Sequence, residues 1–194
     1  MSEDDDDVSG ELIVWPLERL SRLMRAREHE DGLNPAQWEA LRYLARANRF
    51  SNSPGALTRF LGATKGTISQ TVMALERKGL VSKTARDGEK RSVAMTLTDA
   101  GRAALARDPW ALLAADAEDL GGKTRRRLAR GLRELLAAEL QRGSHQSFGQ
   151  CRTCRYFREK GRDRDASGPH LCMLLEQPLS KADAERICVE HQAP

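Results

Sequence analysis

Nowhere does this 194-residue chain approach the ~18 consecutive apolar residues needed to cross a bilayer, and no basic segment followed by a short apolar run opens it. A membrane span and an export leader are therefore not expected, and the cytoplasm is the expected compartment. Cysteine is missing from the first 150 residues, and without an export signal the four that follow are not expected to form disulfides. Also missing are an internal repeat, a phosphate-cradling glycine loop, paired carboxylates and a nucleophile beside a base. Nothing in the chain therefore marks it as an enzyme.

Charge of one sign is not in large excess, since 32 Lys and Arg stand against 28 Asp and Glu. Its distribution is uneven. Glu3 to Asp7 form an acidic run, expected as a solvated, disordered tail over residues 1–10. Between Ser53 and Thr98 lie eight Lys or Arg and only three acidic residues, a local basic surface that fits a polyanionic partner. With 31% charged and 40% hydrophobic residues, the chain has the make-up of a globular protein, long enough for one buried domain and a small appendage.

Helix starts punctuate the first 140 residues. Asn34-Pro35, Ser53-Pro54 and Asp108-Pro109 each set a capping side chain before a proline, and Thr64 and Thr98 are further capping residues. The apolar spacing predicts helices carrying Leu17, Leu20 and Met24; Trp38, Leu41, Leu44 and Ala45; Leu57, Phe60 and Leu61, closed by Gly62; and Ile68, Val72 and Leu75, ended by Gly79. The period then changes to two. Leu80–Arg86 and Arg91–Leu97 read as strands joined by an Asp87-Gly88 turn. A long helical region follows from Asp99 to about Gln141, broken near Asp108-Pro109 and Gly121-Gly122, with Leu128, Leu132, Leu135, Leu136 and Leu140 on one face.

Short helix, tight turn, helix and hairpin, in that order, make a winged helix-turn-helix. The expected fold is mainly α, with a two-stranded wing, a helical dimerisation region over the rest of residues 11–142, and a cysteine-rich, metal-binding extension over 143–194. The face of the second helix expected to enter the major groove comprises Thr64, Lys65, Gly66, Thr67, Ser69, Gln70 and Thr71. Ile68, Val72 and Leu75 face inward. Gly66 costs helix stability, which fits a backbone that must pass close to a phosphate. On the wing, Lys83, Arg86, Lys90 and Arg91 are the expected DNA-contacting cations.

The runs Leu33–Leu41, Thr64–Val72, Leu75–Val81 and Leu97–Arg102 resemble transcriptional regulators of the MarR family, over roughly residues 12–141. The resemblance implies a homodimer in which the first and last helices of both chains interlock on a palindromic operator. It also implies that Arg91 is the wing-tip arginine of the minor groove; Lys90 stands where the family often has an acidic residue. Many members bind small aromatic acids in a cleft, but Trp15, Trp38 and Trp110 are expected here as core residues.

The extension carries Cys151, Cys154, Cys172 and Cys188, separated by two, seventeen and fifteen residues. A CxxC turn converges two thiolates, and two distant cysteines can close a site in a segment too poor in apolar residues to fold by burial alone. Zinc and iron–sulfur clusters both accept four thiolates. Structural zinc sites usually pair two close knuckles, and here only one pair is close. The opening Cys151-x-x-Cys154-x-Tyr156-Phe157 followed by single cysteines resembles the cluster-binding segment of high-potential iron–sulfur proteins. A 4Fe–4S cluster is favoured, with 2Fe–2S, zinc or free thiols as alternatives; His170 or His191 could replace a cysteine, but four cysteines already complete a site, so supporting or surface roles are expected for both.

The expected function is a repressor whose operator affinity follows a cluster that senses redox state, oxygen, nitric oxide or cluster supply. Because the cysteines follow the dimerisation helix, the cluster is expected to act on helix spacing. The alternatives are a structural zinc with a small aromatic effector, and an iron–sulfur electron carrier or enzyme on a winged-helix scaffold.

Overall fold

The computed structural model describes residues 9–29, 32–86, 89–143, 145–161 and 166–194, with only the backbone described at 89–92. The acidic run, the Asp87-Gly88 turn and the side chains of Lys90 and Arg91 lie outside the described residues.

Each marked helix start is used. Helix α1 spans Glu11–Arg27. Helix α2, Pro35–Arg46, opens on a capping box in which the Asn34 side chain accepts from the Gln37 amide at 2.9 Å. Ser53 caps α3, Pro54–Leu61, and Thr64 caps α4, Lys65–Arg77. Gly62, at φ 61°, supplies the left-handed residue that ends α3 and lets the chain turn directly into α4. Strands β1, Val81–Arg86, and β2, Glu89–Leu97, pair antiparallel with Val81 opposite Leu97 and Lys83 opposite Met95. β2 begins two residues earlier than the alternation predicts. Thr98 then caps α5, Asp99–Leu105, and Asp108 caps α6, Pro109–Glu118. Helix α7 runs Gly122–Arg142.

One core holds α2, α3, α4 and the wing together. Trp38, Leu41 and Tyr43 of α2 pack with Leu57 of α3, Ile68, Val72 and Leu75 of α4, and Val81 and Met95 of the wing. A polar hub ties this lobe to the helices around it. Glu28, 2% exposed, accepts from Arg42 at 2.6 Å and from Trp110 Nε1 at 3.2 Å, while its carbonyl accepts from Trp38 Nε1 at 3.0 Å. Arg42 also donates to Asp108 at 2.9 Å, so one guanidinium holds the end of α1 and the start of α6 against α2.

Helices α1 and α7 bury little within one chain. Met24 is the buried residue of α1, and α7 has none. Leu128, Leu132, Leu135 and Leu136 are all exposed. The expectation that all three tryptophans are core residues is corrected: Trp38 is buried, but Trp15 is 69% exposed and Trp110 sits half-open at the hub. Trp15 lies near the start of α1, which within one chain meets few partners.

The extension folds as a small antiparallel sheet in the order β3 (Phe157–Arg158), β4 (His170–Cys172), β5 (Gln177–Leu179), followed by α8, Lys181–Ala184. It is seated on the winged-helix lobe. Phe148 and Val189 enter the main core, and Ile187 bridges Ala47 in parallel. Among the described residues no helix is long and apolar enough to cross a membrane.

Replacing Arg42 by Ala leaves two buried carboxylates without their cation. Arg42→Ala is therefore expected to lower stability by about 3–5 kcal/mol, read as a fall in the urea midpoint with an unchanged m-value.

Candidate functional site

Thr64, Lys65, Gly66, Thr67, Ser69 and Gln70 form the exposed edge of α4, while Ile68, Val72 and Leu75 are buried. The helix N-terminus, with its unpaired amides and positive dipole end, lies on this edge. Thr64 Oγ1 accepts from the Thr67 amide at 3.1 Å and pairs with Thr67 Oγ1 at 2.9 Å, which fixes the two hydroxyls together. Thr71 departs from the expected groove-facing set. It is 8% exposed, and its hydroxyl donates to the Thr67 carbonyl at 2.9 Å. The reason is the helical period: position 71 falls within the same inward stripe as 68, 72 and 75.

A Cβ added at Gly66 would meet only Thr64 Oγ1, at 3.8 Å. Packing within the chain does not demand glycine at this position. A groove alongside, lined by Pro54, Gly55, Thr58, Lys65, Ser69 and Lys83, runs between α3, α4 and the wing. The α3 part of this face was not signalled by the sequence, because Pro54 read only as a helix-start residue. Two wing cations are engaged inside the chain. Lys83 pairs with Glu76 at 2.8 Å, and Arg86 donates to Asn52 Oδ1 at 2.6 Å. These bonds hold the middle of β1 against α4 and its far end against the α2–α3 loop.

The four cysteines, drawn from the start, middle and end of the extension, line one cavity with Tyr156, Phe157, Leu174, Leu179 and Glu190. All four are free thiols. Cys151 sits on a 3₁₀ turn, Cys151–Thr153, whose Cys154 amide donates back to the Cys151 carbonyl at 2.9 Å; this tight turn brings the CxxC pair together. Cys172 ends β4 and Cys188 follows Ile187 on the lobe. Among the described residues, no group of three or more His, Cys, Asp or Glu side chains is placed to hold a metal ion.

N–H groups point at the sulfurs. Asn48 Nδ2 donates to Cys151 Sγ at 3.1 Å, and the Gln192 amide to Cys154 Sγ at 3.5 Å. The Cys188 thiol is pulled down to about 6, chiefly by its hydrogen bond with Cys151, against the opposing effect of burial and with help from Asn48, the Glu190 backbone and Ser51. The Cys151 thiol is pushed up, chiefly by the same hydrogen bond and by burial, so the two titrate as one coupled pair. Neither histidine stands in for a cysteine in the cavity lining. His170 Nδ1 accepts from the Lys160 amide at 3.2 Å, and His191 is held by the hydroxyls of Ser147 and Thr153 at 2.9 and 3.0 Å.

The two-helix unit with its paired wing defines a winged helix-turn-helix. Residues 31–92 match the model of the MarR family. Solved structures agree over the larger part of the chain. A MarR transcriptional regulator from Methanosarcina mazei Go1 is 20% identical, covering 68% of this chain and 98% of its own, with a TM-score of 0.52. A mutant of MepR from a multidrug-resistant Staphylococcus aureus clinical isolate is 16% identical, covering 69% and 98%, with a TM-score of 0.53. The S. aureus MepR–DNA complex is 16% identical, covering 68% and 99%, with a TM-score of 0.50. At these identities the likeness establishes the fold. No curated protein matches the chain.

Gly66→Ala is expected to leave the fold intact and to raise its stability by up to ~1 kcal/mol, since alanine is the better helix former and the space is open. Ser53→Ala, which removes the α3 cap, is expected to cost about 1 kcal/mol. Urea unfolding of the two variants beside the parent chain checks both.

Proposed function

We propose that the chain is a homodimeric, sequence-specific DNA-binding regulator of repressor type whose operator affinity follows the state of an iron–sulfur cluster held by Cys151, Cys154, Cys172 and Cys188. The observation that carries the cluster reading is the convergence of all four cysteines on a single cavity whose other walls are apolar apart from Glu190. Soft thiolates are the ligands of such clusters, and N–H donors to the sulfurs are among the means by which a protein sets their potential. A bound cluster would supply iron chemistry that responds to electrons, oxygen or nitric oxide; the chain's part is to hold the sulfurs, exclude water with Tyr156, Phe157 and Leu174, and donate from Asn48. A 4Fe–4S cluster is favoured over 2Fe–2S.

DNA binding is supported by the polar, exposed edge of α4 beside Lys65 and by the MarR-family match. The MepR neighbour was solved on DNA. Dimerisation is supported by apolar side chains on α1 and α7 that one chain leaves open, including Leu12, Trp15, Leu132 and Leu136, the last 59% exposed. Two copies give a palindromic operator. Lys90 and Arg91 are assigned to the wing's contact with the adjacent minor groove, and the compartment is the cytoplasm.

A second reading rests on a cleft of about 260 Å³ between α1, α2 and α6, lined by Arg25, Arg42, Arg46 and Trp110 together with Ser21, Glu28 and Glu39, Glu28 being paired with Arg42. Guanidinium groups beside an indole suit a small aromatic acid. In that reading the cysteines hold structural zinc and the effector enters the cleft.

Protein purified without oxygen is expected to be brown, with iron and sulfide in fixed proportion to chains, and Cys154→Ser to lose both. Colourless protein with one zinc per chain overturns the cluster and leaves the second reading. In gel-shift titrations Arg91→Ala is expected to weaken operator binding. Lys65→Ala is expected to weaken it across sequences and to reduce the salt slope by about 1. An electron carrier that merely uses this fold would show no salt-sensitive, promoter-specific binding.

A further inference from the structure

We infer that the segment joining α2 to α3, residues 47–53, is the route by which the cysteine site controls the DNA-reading face, in place of the dimerisation helix. The inference rests on a cluster being held by the four cysteines. The extension follows α7 in sequence, yet its hydrogen bonds to the lobe engage residues 46–51. The Ile187 amide donates to the Arg46 carbonyl at 2.9 Å, the Asn48 amide to the Ile187 carbonyl at 3.0 Å, and the Val189 amide to Ser51 Oγ at 2.8 Å. Arg49 reaches the Pro178 carbonyl and Asp183.

Consecutive residues then face in two directions. Asn48, fully buried, gives Nδ2 to Cys151 Sγ and accepts the Phe50 amide on Oδ1 at 3.1 Å. Ser51, also fully buried, accepts on Oγ from the amide of Val189, the residue after Cys188, and accepts Tyr43 Oη on its carbonyl at 2.6 Å. Next in sequence, Asn52 holds the wing: its carbonyl accepts the Met95 amide at 2.7 Å and its side chain the Arg86 guanidinium. Ser53 caps α3. From the sulfur contact at Asn48 to the wing contact at Asn52 is five residues of chain, with the α3 cap at Ser53 next, and the buried side chains of Asn48 and Ser51 are both paired. A segment so tied cannot absorb a shift at Asn48 locally.

Phe148 forms a second arm of the same coupling. Its backbone adopts φ 43°, a left-handed conformation costly for a phenylalanine. Its ring is nonetheless inserted edge-on against Phe60 of α3, at 5.1 Å between centroids, and against Tyr43 of α2 at 6.1 Å. Cys188 pairs with Gly149 beside it, the Cys188 amide donating to the Gly149 carbonyl at 3.0 Å. Release of Cys188 loosens the residue that keeps Phe148 in place, and backbone strain favours withdrawal of the ring from α3.

Hydrogen exchange of the full chain, measured by mass spectrometry with the cluster bound and after its removal by ferricyanide and EDTA, tests the route, with iron and sulfide assayed in the same samples. Protection over residues 47–61 is expected to fall at least about tenfold on removal, with residues 128–142 changing by less than about twofold. Protein that carries no iron overturns the cluster reading and this inference with it. Iron-bearing protein in which 128–142 responds and 47–61 does not overturns the route alone. Asn52→Ala touches no cysteine. It is expected to keep the cluster's spectrum while cutting the ratio of operator affinities between loaded and cluster-free protein by about fivefold or more; an unchanged ratio overturns the route. Asn52→Ser, which keeps a small polar side chain, gives the same comparison if the alanine variant folds poorly.

Discussion

A buried loop has to pair its own polar groups, and in this protein that requirement falls on residues 47–52. Neither Asn48 nor Ser51 has any exposed surface. With no helix or sheet of its own, the segment takes its partners from elsewhere: Ile187 and Val189 of the extension, Tyr43 of α2, Met95 and Arg86 of the wing. Among the described residues no buried side-chain nitrogen or oxygen is left without a partner. Pairing here is therefore what welds three separately encoded parts into one lobe.

The charged groups divide by what they face. Arg42 is committed to Glu28 and Asp108, Lys83 to Glu76, and Arg49 to the extension. Lys65 stays on the open edge of α4 beside the helix's N-terminal amides. The excess of basic residues between Ser53 and Thr98 is thus not one uniform field. Part of it braces the wing, and part faces outward on the open edge of α4.

Most local structure was legible beforehand because its causes are local. Asn34, Ser53, Thr64, Thr98 and Asp108 each cap the helix that their position announced, since a cap needs only a short oxygen-bearing side chain and the next few amides. The change of period at Leu80 marked the wing for the same reason. Within the reading helix, Thr71 was misplaced because residue chemistry was weighed above the helical period that turns it inward. Trp15 was misplaced because an apolar residue on a stripe says that a face is covered, not which chain covers it.

The seat of the extension was not legible. Cys151 to Cys188 stood out as candidate ligands by residue type and spacing alone, since a thiolate's softness is a property of the side chain. Their chain position after α7 pointed to the dimerisation helix. Only the tertiary structure decided that Ile187 and Val189 return to the α2–α3 loop and Phe148 to α2 and α3, because that choice depends on which buried amides and aromatic rings lie open across the lobe. Pattern within a segment determines helix, strand and ligand chemistry; docking between distant segments is set by complementary surfaces that exist only once each has folded.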